Sequence, residues 1–222
     1  MNSLKSASSL KSKLDEKKNN FEIKASDYKK KIYADGIQDV AESGILKSAI
    51  NVGDVAPNFT LLNASGNKVT LYEELKNGSV ILTWYRGGWC PYCNMTLHAL
   101  QEELPNFKAK GASLIALTPE LPDNSLSTSE KNDLEFEVLS DVGNVVAKEY
   151  GIVFKLIDPV ADSYNKSFDL VKYNGDESNE LPLAASYIID TSGKVIYAFL
   201  DADYRNRAEP NELTKVLEKY SK

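Results

Sequence analysis

The first 50 residues carry apolar side chains at helical spacing. These side chains recur three, four or seven residues apart, at Leu10, Leu14, Phe21, Ala25, Tyr28 and Ile32. Lysines occupy the opposite face, at Lys17, Lys24 and Lys31. The period predicts one amphipathic helix or two in succession, with a further helical segment over residues 37–46 after Gly36. Such a helix would pack on its own domain or on a second copy in a homodimer, or would lie on a membrane surface.

From Gly53 onwards the pattern changes to short apolar runs separated by Gly, Pro and Asn. Enrichment in β-branched residues predicts strands at residues 58–62, 69–71, 80–85, 112–118, 138–140, 187–189 and 194–199. Helical spacing predicts helices at residues 93–110, 125–131, 145–150 and 210–220. Four polar residues, 190–193, lie between the last two strands and predict a hairpin loop.

One long polar segment, residues 154–182, interrupts this alternation. It is too long for an unstructured loop in a compact domain, so we expect a helix of its own at about residues 160–168, at the rim of the active site. The order of the other elements is typical of a thioredoxin-like α/β fold, with a central mixed sheet flanked by helices. The predicted organisation is an N-terminal helical arm, residues 1–50, and a thioredoxin-like domain, residues 51–222.

Charge and hydropathy exclude several functions for this 222-residue chain. The net charge is −6, which disfavours nucleic acid as a partner because phosphate binding needs a cationic surface. No apolar run approaches the length of a membrane span. The first twenty residues lack the apolar core of a secretory signal, so the cytoplasm is the expected location. The acid-free Ser/Lys-rich opening up to Leu14 weakly resembles a transit peptide, although it contains no Arg.

The chain contains two cysteines, Cys90 and Cys93, and one histidine, His98. Two cysteines cannot form a disulfide-stabilised scaffold, and with one histidine they fall short of a structural zinc site. No metal or other cofactor is therefore expected, and a redox pair is the favoured interpretation. Inert cysteines, or half of a zinc site shared across a dimer, are less favoured alternatives.

Cys90 lies where an apolar strand meets the start of a helix. Unpaired backbone N–H groups at a helix N-terminus stabilise a thiolate, so we expect a low pKa at Cys90 and assign it as the nucleophile. Cys93 follows one turn later and is placed to resolve an oxidised Cys90 as a disulfide. Pro91 fits the first turn, where a missing N–H costs nothing. His98 points roughly away from Cys93 and is interpreted as a surface or packing residue.

The chain has three arginines, Arg86, Arg205 and Arg207. Arg86 precedes Cys90 by four residues, and the other two share one late loop. If the fold brings that loop to the cysteines, all three guanidinium groups could lower a thiol pKa or orient a peroxide or carboxylate oxygen. Salt bridges with nearby acids are the alternative for Arg205 and Arg207. Trp89 is a candidate wall of the thiol pocket.

Residues 53–59 read Gly-Asp-Val-Ala-Pro-Asn-Phe, and residues 86–94 read Arg-Gly-Gly-Trp-Cys-Pro-Tyr-Cys-Asn. The first run resembles the opening motif of peroxiredoxins, in the alkyl hydroperoxide reductase/thiol-specific antioxidant superfamily. The second resembles the signature of a peroxiredoxin-like subgroup that carries a thioredoxin-type Cys-x-x-Cys. Further matching blocks lie at residues 173–176, 180–182, 187–190 and 201–210.

This resemblance implies a peroxiredoxin-type thioredoxin fold and a thiol-dependent peroxidase. Cys90 would be the peroxidatic cysteine and Cys93 the resolving one, with thioredoxin or glutathione/glutaredoxin as reductant and a hydroperoxide as substrate. The chain has Thr83 and Gly87 where ordinary peroxiredoxins have Pro and Thr, and their peroxide-orienting Arg falls on Ala184. Arg86 is the candidate substitute. The predicted substrate-binding residues are Gly87, Gly88, Trp89, Pro91, Arg205 and Arg207.

Two other functions remain open at this point. The dithiol Cys90-Pro91-Tyr92-Cys93 is also of glutaredoxin type, so a protein disulfide oxidoreductase without efficient peroxidase activity is the first alternative. A redox-sensing interaction protein, with the basic arm as effector and disulfide formation as the switch, is the second.

Overall fold

A computed structural model describes residues 9–63 and 65–220. The first eight residues of the Ser/Lys-rich opening and of the predicted arm lie outside this range. A five-stranded sheet with strand order β5-β4-β3-β8-β9 forms the centre of the fold. Its strands are β3 (Val80–Trp84), β4 (Ser113–Thr118), β5 (Glu137–Ser140), β8 (Ser186–Ile189) and β9 (Val195–Phe199). Strands β3, β4 and β5 are parallel, whereas β8 is antiparallel to β3 and to β9. The sheet is therefore mixed, as predicted.

Two antiparallel two-stranded sheets lie outside the central sheet. They pair β1 (Thr60–Leu62) with β2 (Lys68–Thr70), and β6 (Val153–Lys155) with β7 (Glu180–Pro182). The helices are α1 (Leu10–Lys24), α2 (Asp27–Glu42), α3 (Ile45–Ser48), α4 (Leu71–Glu74), α5 (Pro91–Ala109), α6 (Pro122–Lys131), α7 (Val145–Glu149), α8 (Asp158–Phe168), α9 (Leu170–Asn174) and α10 (Pro210–Tyr220). The seven predicted strands and the predicted helices of the domain are all present, with ends that differ by at most about three residues.

Both faces of the sheet are covered, and successive residues of β3 show this. Val80, Leu82 and Trp84 pack with α4 and α7 on one face, whereas Ile81 packs with α5 and α10 on the other. Strand side chains alternate between faces, so a strand buried on both sides is mainly apolar, as β3 is at every position except Thr83. The β8–β9 hairpin closes as predicted, because the Asp190 carboxylate accepts hydrogen bonds from the backbone N–H groups of Ser192 and Lys194.

The N-terminal helices pack on their own domain. Leu10 and Leu14 of α1 are buried in the cluster that contains α5, and Ile32 of α2 is buried against α8. The expectation of a separate helix over residues 37–46 is wrong, because α2 continues through Gly36 and ends at Glu42. Gly36 is needed for close packing, since a Cβ there would lie 3.1 Å from Val160 Cγ2 on α8. Among the described residues, no helix is long and apolar enough to cross a membrane.

The polar segment after β6 folds back on itself. The predicted helix at residues 160–168 is confirmed as α8, which begins two residues earlier, at Asp158. The flanking strands β6 and β7 were not predicted, since each has only three residues and β7 ends in Pro182. The pairing of β6 with β7 closes the segment, and the Tyr164 hydroxyl of α8 accepts a hydrogen bond from Arg86, which lies in the loop between β3 and α5.

Candidate active site

The two thiols lie at the start of α5, as the sequence predicts. Strand β3 ends at Trp84, residues 85–89 form a loop, and Cys90 is the N-cap of the helix that begins at Pro91. Both cysteines are reduced. Cys90 is 1% exposed and Cys93 is 0% exposed. Both sulfurs are therefore covered by other residues, and a reactant must enter the protein to reach either of them.

Two of the three arginines reach the thiols. Arg207 donates from Nη2 to Cys93 Sγ at 3.4 Å, and Nη1 of the same guanidinium donates to the Asn206 carbonyl at 2.8 Å. Arg86 is the principal cation acting on Cys90, while Arg207 is the principal one acting on Cys93. The loop that carries Arg207 thus returns to the cysteines, and both guanidinium groups act on both sulfurs.

The two thiols share a hydrogen bond, and their pKa values move apart. Burial raises the pKa of Cys93, but the hydrogen bond with Cys90 and the charges of Arg207 and Arg86 outweigh it and lower the pKa to about 5. Burial, together with the hydrogen bond and charge of Cys93, raises the pKa of Cys90 above its ordinary value. The expectation of a low pKa at Cys90 is therefore wrong for the reduced protein. Arg207 contacts Cys93, so the pair ionises with one proton left on Cys90.

Arg86 is a buried cation in an aromatic cage. Its side chain is 1% exposed, and its Cζ lies 4.1 Å from the ring centre of Tyr204, 5.2 Å from that of Trp89 and 5.3 Å from that of Tyr164. Nη2 donates to the Tyr164 hydroxyl at 2.8 Å. Within the described part of the chain, Nε and Nη1 have no hydrogen-bond partner. A charged group with two free donors beside Cys90 is suited to bind an oxygen of a substrate.

The two glycines of the loop allow close packing around the thiols. A Cβ on Gly87, at φ 152°, would lie 2.1 Å from Trp89 Nε1, and one on Gly88 would lie 2.1 Å from Thr128 Oγ1. The Gly87 carbonyl accepts a hydrogen bond from the Cys90 N–H at 3.0 Å. Trp89 stacks on Phe168 of α8, with ring centres 4.4 Å apart. Gly87, Gly88 and Trp89 therefore shape the wall around the thiols through their packing against neighbouring residues of the chain.

Glu120 is a residue of the site that the sequence analysis missed. It is 0% exposed, and both of its carboxylate oxygens accept from the Gly88 backbone N–H, each 3.0 Å from the nitrogen. Burial raises the pKa of Glu120 to about 7, against the hydrogen bond from Gly88. Strands β3 and β4 are parallel, so their carboxyl ends meet at one edge of the sheet. The sequence feature that could have identified Glu120 is an acidic residue two positions after the strand predicted at residues 112–118.

Three predicted or candidate residues lie in other settings. Arg205 donates from Nε and Nη2 to the carboxylate of Asp203 at 2.8 and 3.0 Å, and it pairs with Glu22 of α1 at 3.6 Å. Its donors are therefore used in ion pairs, the alternative raised above. Pro91 is exposed in the first turn of α5. His98 lies on the surface beside Glu102, as expected.

Two positions that depart from the ordinary peroxiredoxin pattern are also buried. Thr83 shares a hydrogen bond with Ser186 at 3.1 Å, and Ala184 is 6% exposed.

In the described residues there is no group of three or more His, Cys, Asp or Glu side chains that could hold a metal ion. The chemical groups of the site are thus the two thiols, the guanidinium groups of Arg86 and Arg207, and the carboxyl of Glu120.

The curated relatives of this chain include two kinds of thiol protein. Thiol-disulfide oxidoreductase ResA from Bacillus thuringiensis subsp. konkukian is 29% identical over 148 residues, which cover 66% of this chain and 68% of ResA. The chloroplastic peroxiredoxin Q of Triticum aestivum is 27% identical over 172 residues, which cover 78% of this chain and 67% of that protein. These relatives leave both redox activities open.

A solved structure of similar fold is that of peroxidoxin BcpB from Mycobacterium tuberculosis. It superposes with a TM-score of 0.61 at 18% identity and covers 77% of this chain and 97% of that one. The thioredoxin-like, peroxiredoxin-type architecture is thereby confirmed. The sequence model described as the AhpC/TSA family matches residues 52–198, which include both cysteines and all five strands of the central sheet except the last residue of β9. Because that match spans more than half of the chain, the protein belongs to the AhpC/TSA family.

Proposed function

We propose that the chain is a thiol peroxidase that reduces hydroperoxides through Cys90 and Cys93. The AhpC/TSA family match and the similarity to peroxiredoxin Q support this proposal. The observation that carries it is the buried Cys90 beside Arg86, whose Nε and Nη1 are free to donate to a peroxide oxygen. A hydroperoxide is small enough to enter such a site, whereas a folded protein disulfide needs an exposed sulfur.

The reduced pair supplies the nucleophile and the leaving group's proton. The hydrogen bond between the sulfurs lets the shared proton move to Cys93 as Cys90 becomes the thiolate. Cys90 attacks one peroxide oxygen, the O–O bond breaks, and the other oxygen leaves as water or alcohol after taking up a proton. Arg86 offsets the negative charge that develops on the two oxygens. The product at Cys90 is a sulfenic acid.

Cys93 completes the cycle as the resolving residue. Its thiolate attacks the Cys90 sulfur, an S–S bond forms, and the sulfenic oxygen leaves as water with one proton. Arg207, in contact with Cys93, favours the thiolate needed for this step. A dithiol such as thioredoxin, or glutathione with glutaredoxin, then returns two electrons and two protons. A reducing compartment such as the cytoplasm would supply that reductant.

The experiment that tests this proposal follows thiols and intact mass after reduced protein is mixed with one equivalent of hydrogen peroxide or cumene hydroperoxide. We expect rapid loss of both thiols and a mass decrease of about two daltons, that of two hydrogens. In Cys93→Ser we expect a sulfenic acid that dimedone traps on Cys90. The control is Cys90→Ser, which should consume peroxide no faster than a free thiol; unchanged turnover in this variant would rule out the assignment.

A protein disulfide oxidoreductase is the second candidate, and the similarity to ResA favours it. This function requires that the residues that bury Cys90 and Cys93 move in solution and expose a sulfur to a protein disulfide. Reduction of insulin disulfides at a rate comparable to that of a thioredoxin, with peroxide reactivity no greater than that of an ordinary thiol, would establish this function instead.

A further inference from the structure

The loop between β9 and α10, residues 200–209, brings the charge of Arg207 to Cys93. The guanidinium donates to two atoms, the Asn206 carbonyl oxygen at 2.8 Å and Cys93 Sγ at 3.4 Å. Arg205 of the same loop is held in ion pairs, whereas no described residue forms a salt bridge with Arg207. An arginine side chain has many rotamers, so the place of this charge depends on the carbonyl that holds its other nitrogen.

Three further hydrogen bonds hold Asn206 itself. Its backbone N–H donates to the Asp203 carbonyl at 2.9 Å, and its Nδ2 donates to Oδ2 of Asp201 at 2.9 Å. Its Oδ1 accepts from Nζ of Lys18, on helix α1 of the arm, at 3.2 Å. Each polar atom of this asparagine therefore has a partner, and together the partners fix the direction in which its carbonyl faces Arg207.

Lys18 connects the N-terminal arm to this asparagine. Its Nζ also lies 3.3 Å from Oδ2 of Asp203, and the two side chains are 27% and 16% exposed. An ion pair that is partly shielded from water is screened less than one on the open surface. Glu22 of the same helix instead pairs with Arg205, at 3.6 Å. Lys18 therefore joins α1 to Asn206, while Glu22 holds a different part of the loop.

We propose that Asn206 is a positioning residue, which holds the Arg207 guanidinium against Cys93. Lys18 is a second positioning residue, which holds Asn206 in place. Arg207 favours the thiolate form of Cys93, so loss of either positioning residue weakens Cys93 as the nucleophile that attacks oxidised Cys90. The arm thereby contributes to the chemistry of a site in the domain. The inference rests on the proposed redox role of the two thiols, but its tests measure ionisation of the reduced pair and need no peroxide.

The first test titrates the ultraviolet thiolate absorbance of reduced Asn206→Ala protein against pH. This substitution removes both side-chain hydrogen bonds of Asn206 and keeps its backbone carbonyl. A displaced guanidinium stabilises the thiolate less, so we expect the titration midpoint to rise by about half to one pH unit. In an Arg207→Gln protein the same substitution should move the midpoint no further, because Asn206 acts through Arg207. An unchanged midpoint, or an equal rise in the Arg207→Gln background, would overturn the proposal.

Urea denaturation of the same proteins separates positioning from stability. If Asn206 served the stability of the loop alone, Asn206→Ala would lower the free energy of unfolding and leave the thiolate midpoint of the folded protein where it is in the wild type. That outcome would also overturn the proposal.

The second test changes the arm and leaves the loop intact. Lys18→Met removes the ammonium group that contacts Asn206 and should also raise the thiolate midpoint. Glu22→Gln is the matched control, since it removes a charge from the same helix without touching Asn206, and it should leave the midpoint unchanged. An equal rise when Lys18→Met is made in the Arg207→Gln protein would mean that the lysine charge acts on the thiols directly, which would overturn its positioning role.

The outcomes for this proposal and for the peroxidase are separable. If peroxide reacts no faster than with a free thiol while Asn206→Ala still raises the midpoint through Arg207, the peroxidase proposal fails and this one stands. If peroxide is consumed rapidly and the midpoint of Asn206→Ala equals that of the wild type, the peroxidase proposal stands and this one fails.

Discussion

At the scale of single residues, Glu120 is a carboxyl group whose ionisation opposes folding. Its pKa is raised by burial from an ordinary 4.5 to about 7, so the native protein holds this proton more tightly than the unfolded chain does. The free energy of unfolding therefore falls as the pH rises from about 4.5 to about 7. At full effect, the loss from this one group is roughly 3 kcal/mol.

Glu120→Gln should remove this pH dependence while keeping a hydrogen-bond acceptor for the Gly88 N–H. Chemical denaturation from pH 4 to pH 8 under reducing conditions measures it. We expect wild-type protein and the variant to converge near pH 4, with the variant more stable at pH 8 by up to roughly 3 kcal/mol. Glu135→Gln, at an exposed position, is the control and should follow the wild-type curve. If the free energies of unfolding of wild type and Glu120→Gln changed with pH in the same way, the raised pKa of Glu120 would be contradicted.

The positive charge of Arg207 lies in contact with Cys93 and stabilises its thiolate. Its Nη2 lies 3.4 Å from the sulfur, and an opposite charge at such a distance lowers a thiol pKa by about one to three pH units. Arg207→Gln should therefore raise the pKa of Cys93 from about 5 by about one to two pH units. Thiolate absorbance at 240 nm, titrated against pH, measures this change.

Arg205→Gln is the matched control for that titration. It removes an arginine two positions away in the same loop, but one whose donors go to Asp203 and Glu22. The thiolate titration of this variant should stay close to that of the wild type. A shift as large as that of Arg207→Gln would mean that the charge of the loop as a whole, and not the contact with Cys93, sets the pKa.

At the scale of elements, the loop between β3 and α5 depends on its fit against α6. A Cβ on Gly88 would lie 2.1 Å from Thr128 Oγ1 and 3.3 Å from Thr128 Cβ. Gly88→Ala should therefore destabilise the protein by about 1–3 kcal/mol, the usual cost of overpacking. Thr128→Ala removes the clashing oxygen, so the double variant should recover most of that loss. Urea denaturation of the two single variants and the double variant gives the coupling energy, and additive losses would contradict the clash.

The elements that the sequence predicts best are those whose pattern is local. Strand β3 is mainly apolar because both of its faces are covered, and α10 has its apolar residues on one helical face, so the sequence pattern predicts each without tertiary information. Strands β6 and β7 pair residues that lie 25 to 29 positions apart in the sequence, so nothing in either three-residue strand indicates the pairing. Gly36 illustrates the same limit, since its role is set by Val160 on another helix.

The residues of the site likewise divide into those that a local sequence pattern predicts and those that only the tertiary structure brings to the cysteines. Cys90, Cys93 and Arg86 lie within one strand–loop–helix unit and were predicted as a group from their spacing. Glu120 joins them through the parallel pairing of β3 and β4, and Tyr164 joins them through the fold of the polar segment. The distribution of charge between the thiols could not be derived from helix position alone, because it depends on which sulfur the Arg207 side chain contacts.

At the scale of the whole molecule, the arm and the domain share one core. Leu14 of α1 is 3% exposed and lies in the same apolar cluster as Cys90 and the α5 residues Leu97 and Leu100. Ion pairs add to this contact, since Lys18 lies 3.3 Å from Asp203, the residue that also holds Arg205. We therefore infer that the arm and the domain unfold together, although the sequence pattern changes near residue 50.

Leu14→Ala tests this joint unfolding. Truncation of a buried leucine costs about 2–5 kcal/mol, so we expect a loss in that range in the free energy of unfolding of the whole chain. Ile23→Ala on the same helix should cost little, since Ile23 is 78% exposed. Denaturation followed by far-UV circular dichroism and by tryptophan fluorescence should give coincident transitions for each protein, because Trp84 and Trp89 lie in the domain while α1 and α2 contribute helix. If the arm were an independent unit, Leu14→Ala would shift only a helical transition and leave the fluorescence midpoint unchanged. A common shift of both midpoints would instead mean that loss of the arm and exposure of the buried thiols belong to one equilibrium.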